Sequence, residues 1–274
     1  MGAFAGAVAV VTGGASGIGK AVCEALARRG ARVVVADRNA AGADEVGRAI
    51  AAAGGQARGA AVDVTDADAV EQLIDGAVRE HGRIDFLFNN AGIAVFGEEL
   101  DVSLDDWHRV INVNLWGVVH GIRAVYPRMV RQRSGHIVNT ASLAGLSPAS
   151  LELSYTASKY AVVGLSRGLR AEGVDYGVKV SVVCPGFINT AILRVTELRR
   201  PIDRERLLAM VPTPLPPERC AQIVLRGVEK NRSVIPVTGH AWFGWLVERV
   251  SPALADRFWL AYARKVRSLP GGSR

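Results

Sequence analysis

The stretch Val8-Ala9-Val10-Val11-Thr12-Gly13-Gly14-Ala15-Ser16-Gly17-Ile18-Gly19 joins a β-branched run to a glycine-rich turn and then to a helical pattern. Apolar residues continue at helical spacing over residues 18–29. A strand that empties into glycines and restarts as a helix can cradle a dinucleotide. Gly13, Gly17 and Gly19 permit the tight turn and let the backbone approach a pyrophosphate. The free N–H groups around Ser16 and Ile18, at the positive end of the helix dipole, would face the phosphates.

Working outward, short apolar runs at 7–11, 32–36, 57–62, 84–88, 136–140 and 179–183 alternate with helical segments such as 67–81. Continuous rather than alternating apolarity predicts strands of a parallel sheet buried on both faces. A seventh run, 233–237, contains Pro236, which cannot donate to a ladder, and so is placed at the sheet edge. The expected fold is α/β: one Rossmann-type domain with a doubly wound, seven-stranded parallel sheet and helices on both faces. Its ligand crevice should lie at the carboxyl ends of the strands. Residues 1–238 form this domain in the reading, and 239–274 a C-terminal helical extension packed on it. Ser251-Pro252 is expected to cap the second helix of the extension.

Composition excludes several classes. With 49% hydrophobic and 22% charged residues over 274 positions, the chain is globular rather than disordered. The three cysteines (Cys23, Cys184, Cys220) and five histidines show no metal-ligand spacing, so no metal is expected. Scattered cysteines and the lack of a targeting signal point to the cytoplasm. The net charge of +7 is uneven: residues 1–193 carry 18 basic against 19 acidic side chains, residues 194–274 carry 15 against 7. The basic residues are dispersed and no nucleic-acid module is visible, so a nucleic-acid partner is not expected.

Asp37 closes the second strand, where a carboxylate can accept both ribose hydroxyls of NAD and repel the extra phosphate of NADP. Arg38 could instead meet that phosphate, which keeps NADP as an alternative. Tyr155 and Lys159 stand at i and i+4 and share a helix face. An ammonium about 4 Å away stabilises a phenolate by about 4 kcal/mol at an effective dielectric of 20, which predicts a tyrosine working as an acid/base near neutral pH. Ser142 lies just past the fifth strand, at the crevice end of the sheet.

Together, Thr12-Gly13-x-x-x-Gly17-x-Gly19, Asp63-Val64, Asn89-Asn90-Ala91-Gly92, Asn114, Ser142, Tyr155-x-x-x-Lys159 and Pro185-Gly186 make residues 7–190 resemble the short-chain dehydrogenase/reductase family. The resemblance implies that Asp63 and Val64 contact adenine, that Asn90 and Gly92 line the cofactor site, and that Pro185, Ile188 and Thr190 hold the nicotinamide end. It further implies that Asn114 aligns a water with Lys159, that Lys159 holds the nicotinamide ribose, and that Asn89 is structural. Ser142 and Tyr155 would flank the substrate oxygen. The implied activity is hydride transfer between NAD and an alcohol or ketone. The alternatives are an NADPH-dependent ketoacyl-type reductase and a non-catalytic dinucleotide sensor.

The loop residues Phe187, Ile192 and Leu193, with Leu143, Leu146, Phe96 and Leu151, suggest an apolar alcohol or carbonyl substrate. The extension carries Trp242, Phe243, Trp245, Trp259 and Tyr262 among basic residues, which leaves four readings open. It can pack on the domain, cover the pocket, form a subunit contact, or make a peripheral membrane contact. The resemblance implies a homodimer or homotetramer built on two long helices, 104–133 (bent) and 154–172.

Overall fold

The computed structural model describes residues 2–269, so the tail from Pro270, expected to fray, lies outside the described residues. The seven strands of the central sheet are β1 (Val8–Thr12), β2 (Arg32–Asp37), β3 (Gln56–Ala61), β4 (Phe86–Asn89), β5 (Gly135–Thr140), β6 (Val178–Cys184) and β7 (Val234–Pro236). They pair in parallel in the order β3-β2-β1-β4-β5-β6-β7. The chain starts mid-sheet, winds outward through β3, and returns to wind the other way. This puts a crevice outside the carboxyl ends of β1 and β4.

The helices are α1 (Gly17–Ala27), α2 (Ala40–Ala52), α3 (Ala67–His81), α4 (Leu104–Ile111), α5 (Gly117–Gln132) and α6 (Leu153–Gly173). They continue with α7 (Ile192–Val195), α8 (Arg204–Ala209), α9 (Pro217–Glu229), α10 (Gly239–Val250) and α11 (Pro252–Arg267). Strand periodicity divides the core. Val11, Val33 and Val35 face one way, against Leu26 of α1, Ile50 of α2 and Leu225 of α9. Val10, Val34 and Leu87 face the other, against Ile74 of α3 and Val125 and Met129 of α5. Each such fully buried side chain contributes roughly 1.5–3 kcal/mol, so the sheet is held from both sides.

Three expectations need correction. β3 is only half-buried, because it is the second edge of the sheet, and it carries Arg58 in an exposed ion pair with Glu80. Ser251 precedes Pro252 as expected, but its side chain makes no cap; its carbonyl takes the N–H groups of Leu254 and Ala255. The predicted helix over 104–133 is interrupted by a π-helical turn, Asn112–Trp116, between α4 and α5. Such a turn inserts one residue into the helical register and is frequent at functional sites. Here it is centred on Asn114, which is fully buried.

The extension packs inward at selected positions. Trp245 of α10 joins Val118, Leu146, Val162 and Val182. Val266 and Tyr262 of α11 join Phe96, Leu151, Ile202 and Leu207. Trp242, Phe243, Leu246, Leu254, Phe258 and Leu260 remain exposed. No helix among the described residues is long and apolar enough to cross a membrane.

Candidate functional site

One cleft of about 940 Å³ runs along the carboxyl ends of the strands, from Asp37 and Arg38 through the glycine turn to Ser142, Tyr155 and Trp259. Its nucleotide end is shaped by missing side chains. Gly13 takes φ +65°, and a Cβ there would lie 2.9 Å from the Ala91 Cα; one on Gly19 would meet the Gly13 carbonyl oxygen at 2.1 Å. Ser16, in the N-cap position of α1, makes no side-chain cap, so its hydroxyl does not take up the first-turn N–H groups facing the cleft.

Asp37 does more than wait for a ribose. Its Oδ2 accepts the Ala15 N–H at 3.0 Å and its Oδ1 accepts the Asn39 N–H at 2.9 Å, which anchors the glycine turn to β2. A carboxylate has about four acceptor sites, so two remain for hydroxyl donors. Asp63 accepts the Thr65 N–H and hydroxyl; these bonds, aided by Arg38, hold its carboxyl below the usual range. Val64 lies buried against α5, and its carbonyl meets His120 at 2.9 Å. Asn90 ties the turn together from β4: its amide donates to the Thr12 carbonyl at 3.1 Å and its N–H to the Thr12 hydroxyl at 3.0 Å. Asn89 bonds Asn139 across β4 and β5 at 2.9 Å, the structural role expected.

At the other end, Lys159 is buried and donates to the Thr140 carbonyl at 3.0 Å. Its Nζ stands 5.4 Å from the Tyr155 ring centroid, on the shared helix face. A Cβ on Gly92 would come within 3.4 Å of that Nζ and 3.3 Å of Asn114 Oδ1, so the missing side chain keeps this corner open. Both N–H donors of the Asn114 amide are engaged. It accepts the Ile93 N–H, donates to the Ile93 carbonyl, both at 2.9 Å, and donates to Ser158 at 3.1 Å. Both N–H donors are thus spent, so the implied water contact would fall to the remaining acceptor site of Oδ1 or to the main chain. Ser142 accepts the Ala144 N–H at 3.1 Å, capping a short 3₁₀ turn, while its side chain also lines the cleft.

The electrostatics depart from the sequence argument. Burial raises the Tyr155 pKa well above that of a free phenol; the Ser142 hydroxyl offsets this in part and Glu152 adds to it. Burial also lowers Lys159 to about 8. The spacing argument counted the attraction between ammonium and phenolate but omitted desolvation, which penalises both charged forms in the same dry wall.

The loop after β6 is fixed from both sides. The Pro185 carbonyl accepts the Leu143 N–H at 2.7 Å, and the Phe187 N–H donates to His240 Nε2 at 3.0 Å. His240 thus braces this loop, and its pKa is lowered by burial, favouring the neutral acceptor. Ile188, Thr190, Phe187, Ile192, Leu193 and Leu143 line the cleft as expected. Phe96, Leu146 and Leu151 do not. Phe96 and Leu151 are buried with Ile202 and Val266, and Leu146 with Val162 and Val182, behind the wall rather than in it. Trp259, Val195, Arg109 and Glu152 are among the residues that line the cleft without having been anticipated. Glu152 had a readable signal, lying three residues before Tyr155 at the start of its helix; the others come from distant segments and had none.

Among the described residues, no group of His, Cys, Asp and Glu could hold a metal ion. The missing side chains at Gly13 and Gly19, the uncapped α1 terminus and the spare acceptor sites of Asp37 fit a nicotinamide dinucleotide. Parallel winding, this cleft and the Ser-Tyr-Lys corner define a Rossmann-type fold with a dinucleotide-sized site. The short chain dehydrogenase family profile matches residues 7–200, and the chain belongs to that family. It is 36% identical over 261 residues to the probable oxidoreductase EphD of Mycobacterium tuberculosis, covering 92% of this chain but only 44% of that longer protein. A Burkholderia phymatum short-chain dehydrogenase/reductase solved with NAD is 32% identical, with a TM-score of 0.84 over 93% of this chain and 96% of that one. A metagenomic short-chain oxidoreductase solved with NADP is 33% identical, with a TM-score of 0.70 over 85% and 98%.

Proposed function

We propose that this protein interconverts an alcohol and a ketone or aldehyde on a largely apolar skeleton, with NAD as the preferred cofactor. The observation that carries the reading is the convergence of Ser142, Tyr155 and Lys159 on the cleft that the glycine turn opens into. Ser142 and Tyr155 both donate toward the substrate oxygen, and Tyr155 passes the proton. Its raised pKa keeps the phenol protonated, ready to donate in the reducing direction. Lys159, titrating near 8, is the adjoining proton carrier and would hold the nicotinamide ribose. Asn114 acts as a positioning residue, locking Ile93, and the π-helical turn centred on it fits a functional role for this segment beside Lys159. When bound, the dinucleotide supplies the hydride acceptor or donor, and its oxidised ring adds positive charge that favours the phenolate.

Asp37 supports NAD, because its carboxylate occupies the end of β2 where a 2′-phosphate would have to sit. Arg38, also in the cleft, supports NADP as the second reading, which a ketoacyl-type reductase would require. Ile93, Ala94, Leu143, Phe187, Leu193 and Trp259 support an apolar substrate. The domain reading is one unit, with 239–274 as its extension, since α11 supplies a cleft residue and shares a core with Phe96. The exposed Leu104, Trp116 and Tyr160 on the α4–α6 side support a dimer through those helices. The test is a panel of alcohols and ketones followed by nicotinamide absorbance with NAD and with NADP. Turnover with NADP alone would replace the NAD reading, and no turnover of any carbinol or carbonyl would remove the proposal.

A further inference from the structure

The apolar part of the cleft contains one acid that the fold does not employ. Glu152 occupies the N-cap position of α6, yet its carboxylate makes no capping bond. It lines the cleft, and burial alone, with no hydrogen bond or charge to offset it, lifts its pKa to about 7. Tyr155 follows three residues later, in the first turn of α6. The proximity is felt electrostatically, because Glu152 raises the pKa of Tyr155 and, across the cleft wall, of Tyr262 on α11. Arg109, which also lines the cleft, is not free to neutralise it. Its guanidinium is held by Glu197 at 2.8 Å and by Asp106 at 3.0 Å. Ala94, Ala149, Leu193 and Trp259 complete the wall without supplying a partner for the carboxyl.

A polar group kept in a half-dry wall without a partner is destabilising unless a ligand completes it. Resting on the reading of Ser142 and Tyr155 as the carbinol site, we propose that Glu152 is a specificity-determining residue that accepts a hydrogen bond from a second hydroxyl of the substrate. Diol- or polyol-type carbinols are then preferred over simple alcohols of the same skeleton. A hydroxyl suits this position better than an ammonium. A carboxyl that is half-protonated at neutral pH keeps an acceptor oxygen in either state but does not keep a full negative charge.

The test uses the full-length protein and two matched pairs, cyclohexanol with trans-1,2-cyclohexanediol and 1-phenylethanol with 1-phenyl-1,2-ethanediol. The expected result is a diol-to-alcohol ratio of kcat/KM of about ten or more, falling at least tenfold in Glu152→Leu and Glu152→Ala. Glu152→Gln, which keeps an acceptor oxygen, restores at least part of the ratio. NADH fluorescence titration of each variant establishes that the cofactor site is intact. Calorimetric binding of the same pairs to NADH-loaded Tyr155→Phe protein, with and without Glu152→Gln or Glu152→Ala, reads the contact without turnover. Equal binding of diol and alcohol, or a preference that survives Glu152→Ala, overturns the inference even if both compounds are oxidised. Glu152-dependent diol binding without turnover by the parent enzyme would instead sink the proposed reaction and leave the subsite standing.

Discussion

The nucleotide end of the cleft and its substrate end are built by different means. The first rests on backbone. Asp37 and Asn90 bind main-chain groups of the glycine turn, the Thr12 hydroxyl takes the Asn90 and Ala91 N–H groups beyond β4, and two glycines in the turn admit no Cβ. The second rests on long side chains reaching between distant segments. Arg199 pairs with Asp106 of α4 and with Glu197, while Glu98 takes both Arg200 at 2.5 Å and Arg267 of α11 at 3.2 Å. Arg199 holds the Asp106 carboxyl far below the usual carboxylate range. These clamps fasten a two-stranded ribbon, Val95–Phe96 against Glu197–Leu198, beside the cleft. A backbone-built end suits a ligand of constant shape. An end built from side chains can change its walls without altering the sheet, so substrate choice can vary on one scaffold.

The sharpest way to separate the two ends is at Tyr155. Tyr155→Phe should lower kcat by about 10²–10⁴-fold, the usual weight of a general acid/base, while NADH binding followed by fluorescence stays within a fewfold of the parent. Retention of more than a few per cent of turnover would break the assignment. Gly19→Ala should do the reverse. Its Cβ has no room beside the Gly13 carbonyl, so cofactor affinity should fall more than tenfold and stability by about 1–3 kcal/mol, as overpacking does. Isothermal titration and urea unfolding read both effects, and unchanged NADH affinity would contradict the backbone-built picture.

Cofactor choice offers a smaller effect. Asp37→Ala should shift the NAD-to-NADP ratio of kcat/KM toward NADP by about tenfold, since one charge contact is worth roughly 1.4 kcal/mol. A parent that already prefers NADP would overturn the reading of Asp37.

A further effect belongs to neither end. Burial lowers His136 to about 3, and its ring is bonded to Ser181 at 2.8 Å. Between about 6.5 and 3 the unfolded chain takes up a proton that the folded one refuses, so stability falls as pH falls through that window. His136 should contribute a slope approaching about 1.4 kcal/mol per pH unit, which His136→Gln removes while the share of the lowered carboxylates remains, measured by urea unfolding at several pH values. An equal slope in both proteins would exclude His136 as the source.

Much of the nucleotide end was legible because its determinants are close in sequence. The turn at 12–19, the acid ending β2, and Tyr155 four residues before Lys159 are local patterns with direct geometric meaning. Pro236 likewise announced an edge strand from its own chemistry. Misreadings arose where the outcome depends on partners far along the chain. Phe96 and Leu151 are as apolar as any pocket residue, but the ribbon and α11 turn them into a buried cluster with Val266. The pKa of Tyr155 went astray for a related reason, since spacing reports a neighbouring charge but not how much water the walls exclude.

The sequence by itself determined the winding of the sheet, the glycine turn and the helix face shared by Tyr155 and Lys159, because periodicity and steric limits act over a few residues. Only the tertiary structure decided which side chains wall the cleft, that the helix breaks into a π turn at Asn114, and that His240 braces Phe187 across 53 positions. Those outcomes depend on packing between segments that meet only after the chain has closed on itself, and no local pattern encodes them.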